Sequence, residues 1–83
     1  MEGELVRLTA LGAGEIGVVQ EVGGRHRLVS RLATLGFTPG ARVTMVQNFG
    51  RGPIIVMVRG TRIALGRGEA RKIIVTPIAE GGE

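Results

Sequence analysis

The segment that most constrains the fold is RHRLVSRLATLGFTPG, at positions 25–40. Only this segment has a clear helical period, because Leu28, Leu32 and Leu35 recur at intervals of four and three residues and share one helix face. This spacing predicts an amphipathic helix over 25–35. A helix of about ten residues is marginal on its own, so we expect its leucine face to pack against a sheet.

Two stop signals follow the helix. Gly36 can adopt the positive φ that closes a helix, and Phe37 can then fold back on Leu32. Pro39 and Gly40 suit the two central positions of a tight turn, since proline presets a negative φ and glycine accepts a positive one. The sequence therefore predicts a helix, a cap and a turn of defined geometry, followed by a strand.

Most of the remaining chain has the pattern of short strands separated by glycine turns. Ile54–Val58 is apolar at every position, which predicts a central strand. Gly60 fits the first central position of a two-residue type II′ hairpin, and Gly17 indicates a bulge or a close backbone approach. Residues 68–72 supply a short helical turn, and Pro77 is expected to end the last strand. The pattern predicts a mainly β, small α+β fold: an SH3-like barrel of five or six short antiparallel strands with one covering helix.

The length of 83 residues suits a single domain, with a core over about 5–76 and a flexible tail over 77–83. Without cysteine the chain has neither disulfides nor thiolate metal ligands, which fits a reducing cytosol. Glu2 and Glu4 stand where a signal peptide would be basic, and no apolar run approaches the length of a membrane span. We expect a cytoplasmic protein.

The middle of the chain is uniformly basic. Between Val22 and Gly68 there are eight arginines and no acidic residue, within a chain whose net charge is +4. Such a distribution favours an acidic partner, which could be nucleic acid, anionic lipid or an acidic protein surface. It is also typical of a small domain whose arginine stems cover apolar surface.

The side chains that carry chemistry are scarce. His26 is the single histidine, and the chain has no aspartate, so it is a weak metal-ligand candidate without the three or four donors that a transition-metal site usually needs. No nucleophile has a base to activate it, and the sequence predicts no enzyme. Nucleic-acid binding is not expected either, because single-strand binding uses aromatic stacking and the chain has only Phe37 and Phe49.

Positions 27–40, RLVSRLATLGFTPG, resemble the R-L-x-x-L-G-(L/F)-x-P-G core of the FeoA family, the small cytosolic component of bacterial ferrous iron transport. The spaced residues from Leu8 to Val19 are similar to the opening strand of that family, and Ile54–Val58 to its central apolar strand. GTRIAL, at positions 60–65, resembles the start of its closing segment. The resemblance covers about 5–75.

The resemblance implies a single FeoA-like SH3-type domain that supports the FeoB permease, whose cytosolic part is a GTP-binding domain. It also implies an association with ferrous iron, without a built-in cofactor. We therefore expect a cytoplasmic accessory protein that docks on an FeoB-type permease, lies at the membrane only through that partner, and modulates its transport. Homo-oligomers remain open, as do two alternatives: a basic barrel that binds nucleic acid, and an oligomeric metal sensor or chaperone.

Four side chains are candidate partner contacts. Arg27 and Arg31 lie one turn apart on the flank of the predicted helix. Phe49 is the one large apolar residue that the pattern leaves outside the core, and Arg51 follows it in the same loop. The helix-to-turn motif itself is expected to be architectural. It comprises Leu28, Leu32, Leu35, Gly36, Phe37, Pro39 and Gly40.

Overall fold

A computed structural model of the protein describes residues 3–79, which form a six-stranded sheet with one helix of ten residues against it. In chain order the elements are β1 (Val6–Arg7), a 3-10 turn (Leu8–Ala10), β2 (Ile16–Val22), α1 (His26–Leu35), β3 (Arg42–Gln47), β4 (Ile54–Val58), β5 (Thr61–Leu65), α2 (Arg67–Ala70) and β6 (Ile73–Ile78). Neighbouring strands run antiparallel in the order β1-β6-β2-β3-β4-β5. The prediction of a mainly β fold with one covering helix is confirmed.

One core joins strands that lie far apart in this order. Leu65 of β5 and Val75 of β6 belong to the same buried cluster, although three strands separate β5 from β6. The sheet must therefore curve around a single centre. The buried residues are Leu8, Leu11, Val19, Leu32, Phe37, Val43, Met45, Ile54, Val56, Val58, Leu65, Ala70, Ile73 and Val75.

The end of α1 has the geometry that the sequence predicts. Gly36 has φ of 111°, and its amide donates to the Ala33 carbonyl at 3.0 Å. The Phe37 amide donates to the Leu32 carbonyl at 2.9 Å, so both hydrogen bonds of a Schellman ending are present. Leu32 and Phe37 are buried, and the cap is thus part of the core.

The predicted turn follows directly. The Ala41 amide donates to the Thr38 carbonyl at 2.9 Å across Pro39 and Gly40, and Gly40 has φ of 93°. Gly40 then donates to the Val19 carbonyl at 2.7 Å, which attaches the turn to β2. This contact fixes where β3 begins.

The hairpin between β4 and β5 differs from its prediction by one residue. Val58 pairs with Thr61, so the central residues are Arg59 and Gly60, with φ of 52° and 77°. Two positive φ angles make a type I′ turn, and the predicted type II′ turn is wrong. Val58, the last residue of β4, is buried. The Arg59 side chain lies over Gly36, where an added Cβ would be 3.0 Å from Arg59 Cδ.

Gly17 allows a close approach between β2 and β6. A Cβ at this position would lie 2.9 Å from Val75 Cγ2, so the space is filled by the neighbouring side chain. The irregularity in register falls instead between Val19 and Glu21. Of the two predicted roles for Gly17, the close backbone approach is therefore the correct one.

β6 continues through Pro77 to Ile78, beyond the predicted stop. β1 pairs with β6 only at Val75 and Ile74, so no β1 hydrogen bond is needed at the proline. Residues 77–78 of the predicted tail over 77–83 therefore belong to β6, and its residues 80–83 lie outside the described residues. α2 (Arg67–Ala70) begins one residue before the predicted helical turn over 68–72 and ends two residues before it does.

None of the helices within residues 3–79 has the length and apolar character needed to cross a bilayer.

Candidate functional site

The loop at 48–53, between β3 and β4, exposes an aromatic side chain. Phe49 is 77% exposed, and Leu5 is the other large apolar residue that is exposed within residues 3–79. Arg51 is also exposed and makes no hydrogen bond or ion pair to the described residues. Phe37, by contrast, is only 1% exposed. Phe49 is thus the one aromatic ring available for a partner.

Asn48 fixes the base of this loop. Its Nδ2 donates to the Thr9 and Leu11 carbonyls at 3.0 and 2.8 Å. Its Oδ1 accepts from the Gly50 amide at 2.9 Å and from Arg67 Nη2 at 2.5 Å. The part-buried side chain of Asn48 therefore uses both its donor and its acceptor atoms. The base of the loop is fixed, and Phe49 extends from it.

α2 links the loop to α1. Arg67, in the first position of α2, contacts Asn48, and its Nε is buried with no hydrogen-bond partner among the described residues. Glu69, two residues later, pairs with Arg31 of α1 through Arg31 Nη2. The loop and the helix flank, which sequence reasoning treated as separate candidates, are thereby connected through one four-residue helix.

The four predicted contact residues consequently have different surroundings. Arg31 is engaged by Glu69, although its side chain is still 52% exposed. Arg27 is exposed at the start of α1, where it lines a cavity together with Arg25 and Lys72. Phe49 and Arg51 share the loop described above.

His26 lies in the first turn of α1 and is exposed. Its Nε2 lies 3.5 Å from Ser30 Oγ, one turn further along the helix. Residues 3–79 contain no group of three or more histidine, cysteine or acidic side chains placed to hold a metal ion. His26 therefore belongs to no such group within the part of the chain that the structure describes.

Sequence reasoning did not identify Asn48, Arg67 or Glu69 as site residues. A local signal existed for Asn48, since Asn-Phe-Gly is compatible with an Asx turn in which Asn48 accepts from the amide two residues on. The contacts of Arg67 and Glu69 had no such signal, because their partners lie 19 and 38 residues away in the chain.

Comparison with known proteins gives the family. The sequence model of the family described as "FeoA domain" matches residues 6–77 of this chain. A protein of Methanocaldococcus jannaschii, named as a candidate Fe(2+) transport protein A, is 34% identical over 70 residues, covering 84% of each chain. The match extends over nearly all of the described residues.

Solved structures agree with this result. A crystal structure of an iron uptake regulatory protein, FeoA, superimposes with a TM-score of 0.85 at 35% identity, over 90% of this chain and 100% of the other. FeoA of Stenotrophomonas maltophilia, complexed with zinc and described as a prokaryotic SH3 domain protein, gives 0.76 at 35% identity, over 84% and 88%. The predicted SH3-like fold is confirmed, and the chain belongs to the FeoA family.

Proposed function

We propose that this protein is a cytoplasmic, non-enzymatic accessory of ferrous iron transport that docks on an FeoB-type permease and modulates its transport. The relatives support the association with ferrous iron transport. The M. jannaschii protein is named for Fe(2+) transport, and the S. maltophilia protein is described as a candidate activating factor for ferrous iron transport. Docking itself is argued from the surface of this chain.

The observation that carries the docking proposal is the exposed Phe49 on its fixed loop. A large aromatic side chain is costly to leave in water, and a ring whose loop is already ordered loses little conformational entropy on binding. Asn48 supplies that order through its four hydrogen bonds. Phenylalanine and arginine are both enriched at protein–protein interfaces relative to the rest of the surface, and Phe49 and Arg51 lie in one loop.

Co-purification tests the docking. The chain is added to an affinity-tagged FeoB-type permease from the same source in detergent, and the bound fraction is measured for wild type, Phe49→Ala and Arg51→Glu. We expect Phe49→Ala to weaken binding about ten-fold, the scale of a modest interface hot spot. Its folding stability should stay within about 0.5 kcal/mol of wild type, because the ring is exposed.

Arg62→Glu is the matched control for Arg51→Glu. Arg62 is exposed on β5, and its register partner Met57 lies near the end of β4 remote from the loop. It should bind like wild type. Absence of wild-type binding would refute docking on the permease, and equal binding by Phe49→Ala and Arg51→Glu would exclude the loop from the interface. Ferrous iron uptake by proteoliposomes containing the permease, with and without the chain, measures the modulation.

A further inference from the structure

A second surface feature is a cavity of about 420 Å³ beside the start of α1, lined by Gly24, Arg25, Arg27, Leu28 and Lys72. Local geometry creates it. The Gly23 amide donates to the Lys72 carbonyl at 2.8 Å, which brings the turn after β2 against the start of β6. Gly24, with φ of 110°, then directs the chain into the helix.

The floor of the cavity is hydrocarbon. A Cβ added at Gly24 would lie 3.1 Å from Leu28 Cδ2 and 3.8 Å from both Cγ and Cδ of Lys72. The methyl group of a half-buried leucine and the stem of a lysine therefore border the space that the glycine leaves open. Such a floor suits an apolar side chain.

The rim of the cavity is cationic. Arg25, Arg27 and Lys72 are exposed, and none of them makes a hydrogen bond or ion pair through its side chain with the described residues. Arg31, Arg59 and Arg67 differ, since each has a side-chain partner. No acidic residue lines the cavity. Three uncompensated positive charges around an apolar floor call for a ligand that supplies both carboxylates and hydrocarbon.

We propose that this cavity binds a short acidic segment of a protein partner, with one apolar side chain over Leu28 and the Lys72 stem and flanking carboxylates at Arg25, Arg27 and Lys72. A volume of 420 Å³ lies within the range of about 300–1,000 Å³ typical of ligand pockets, and it accommodates a few side chains. A phosphate site would instead have polar donors that converge on its floor, whereas the exposed surface of this lining is mostly apolar and its cationic groups lie at the rim.

The test uses the purified full chain and a fluorescein-labelled peptide, acetyl-Gly-Glu-Glu-Leu-Glu-Glu-Gly, with binding measured by anisotropy at low salt. Arg27→Glu should raise Kd about five-fold or more, because reversal replaces attraction by repulsion at the rim. Lys72→Glu should act similarly. A peptide with serine in place of leucine should bind about ten-fold more weakly, because it loses the apolar contact.

Arg62→Glu is again the charge-matched control and should leave Kd within about two-fold of wild type, since exposed charges at a distance are screened. Misfolding does not explain a loss in Arg27→Glu, because an acidic residue in the first helical turn stabilises a helix. Wild-type affinity in Arg27→Glu and Lys72→Glu would overturn the proposal, as would an equal loss in Arg62→Glu. Displacement by inorganic pyrophosphate at lower concentration than by unlabelled peptide would overturn it as well, by identifying a phosphate site.

The inference rests on the proposed function only in taking the ligand to be a protein. The two can fail separately, because the peptide assay contains no permease. If the peptide does not bind but co-purification is intact, binding at the cavity is refuted and the Phe49 loop remains the proposed docking surface. Peptide binding without co-purification would refute docking on the permease and leave the cavity as a site for another acidic partner.

Discussion

Replacement of Asn48 by alanine should destabilise the protein far more than its place in a surface loop indicates. The substitution removes four hydrogen bonds, which connect the loop to the 3-10 turn, to Gly50 and to Arg67 of α2. Each contributes about 0.5–1.5 kcal/mol net. Because the four share one side chain, we expect a combined loss of about 2–4 kcal/mol rather than the full sum.

That loss is large for a chain of 83 residues, whose whole stability is on the order of 4–12 kcal/mol. Urea unfolding followed by circular dichroism measures it as a lower midpoint at unchanged slope. The corresponding drop in Tm is about 10–20 °C. Hydrogen exchange should localise the change, with faster exchange at the Gly50 amide.

Arg51→Ala provides the control, because it alters the same loop without removing a hydrogen bond or ion pair to the described residues. It should change stability by less than about 0.5 kcal/mol. The reasoning is refuted if Asn48→Ala also loses less than about 0.5 kcal/mol. Asn48→Ala should additionally weaken co-purification with the permease although Phe49 is retained, because the ring is then presented by a mobile loop.

Three further substitutions test separate parts of the structure by urea unfolding. Gly36→Ala should lower the free energy of unfolding by about 1–3 kcal/mol, since alanine at φ of 111° is strained and its Cβ would lie 3.0 Å from Arg59 Cδ. An unchanged free energy of unfolding would mean that the helix end is not held as described. Arg25→Ser should raise the free energy of unfolding by about 0.5–1 kcal/mol. Arg25 is the N-cap of α1, has φ of −73° and ψ of 156°, and provides no capping hydrogen bond, whereas a serine hydroxyl can accept one from the first turn. A lower free energy of unfolding would contradict this prediction. Arg31→Ala should cost at most about 1 kcal/mol, as expected for an exposed ion pair, and a double-mutant cycle with Glu69→Ala that gives no coupling would show that the pair contributes nothing in solution.

The sequence was informative wherever a rule is local. Gly36, Phe37 and Gly40 could be assigned to a cap and a turn because the hydrogen bonds that define these motifs join residues at most five apart. The hairpin at Gly60 was misassigned by one position for the opposite reason. Glycine suits either the first position of a type II′ turn or the second of a type I′ turn. The two turns shift the pairing of β4 with β5 by two residues and leave the same β4 residues facing the core. The alternation of apolar residues therefore does not distinguish them, and the choice is set by packing across the whole sheet.

The candidate site also combines features that local sequence rules predict with features that depend on residues far apart in the chain. The exposure of Phe49 followed from the hydrophobic pattern, since the ring has no place in the alternation of β3 or β4. The hydrogen bonds that hold its loop could not be predicted in this way, because the acceptors of Asn48 lie 37 and 39 residues earlier in the chain. The cavity at Gly24 was equally hidden, since Lys72 reaches it only through the pairing of β2 with β6.

The position of β6 has a consequence for how the protein is made. β6 is the last strand within residues 3–79 but lies between β1 and β2 in the sheet. A nascent chain that ends before residue 73 therefore leaves β1 without its partner strand and β2 with an open edge. Strand pairing between distant segments is slow, and open edges favour association with other chains. The sheet can close only once β6 has left the ribosome, so we expect this domain to fold after all of its strands have emerged rather than strand by strand.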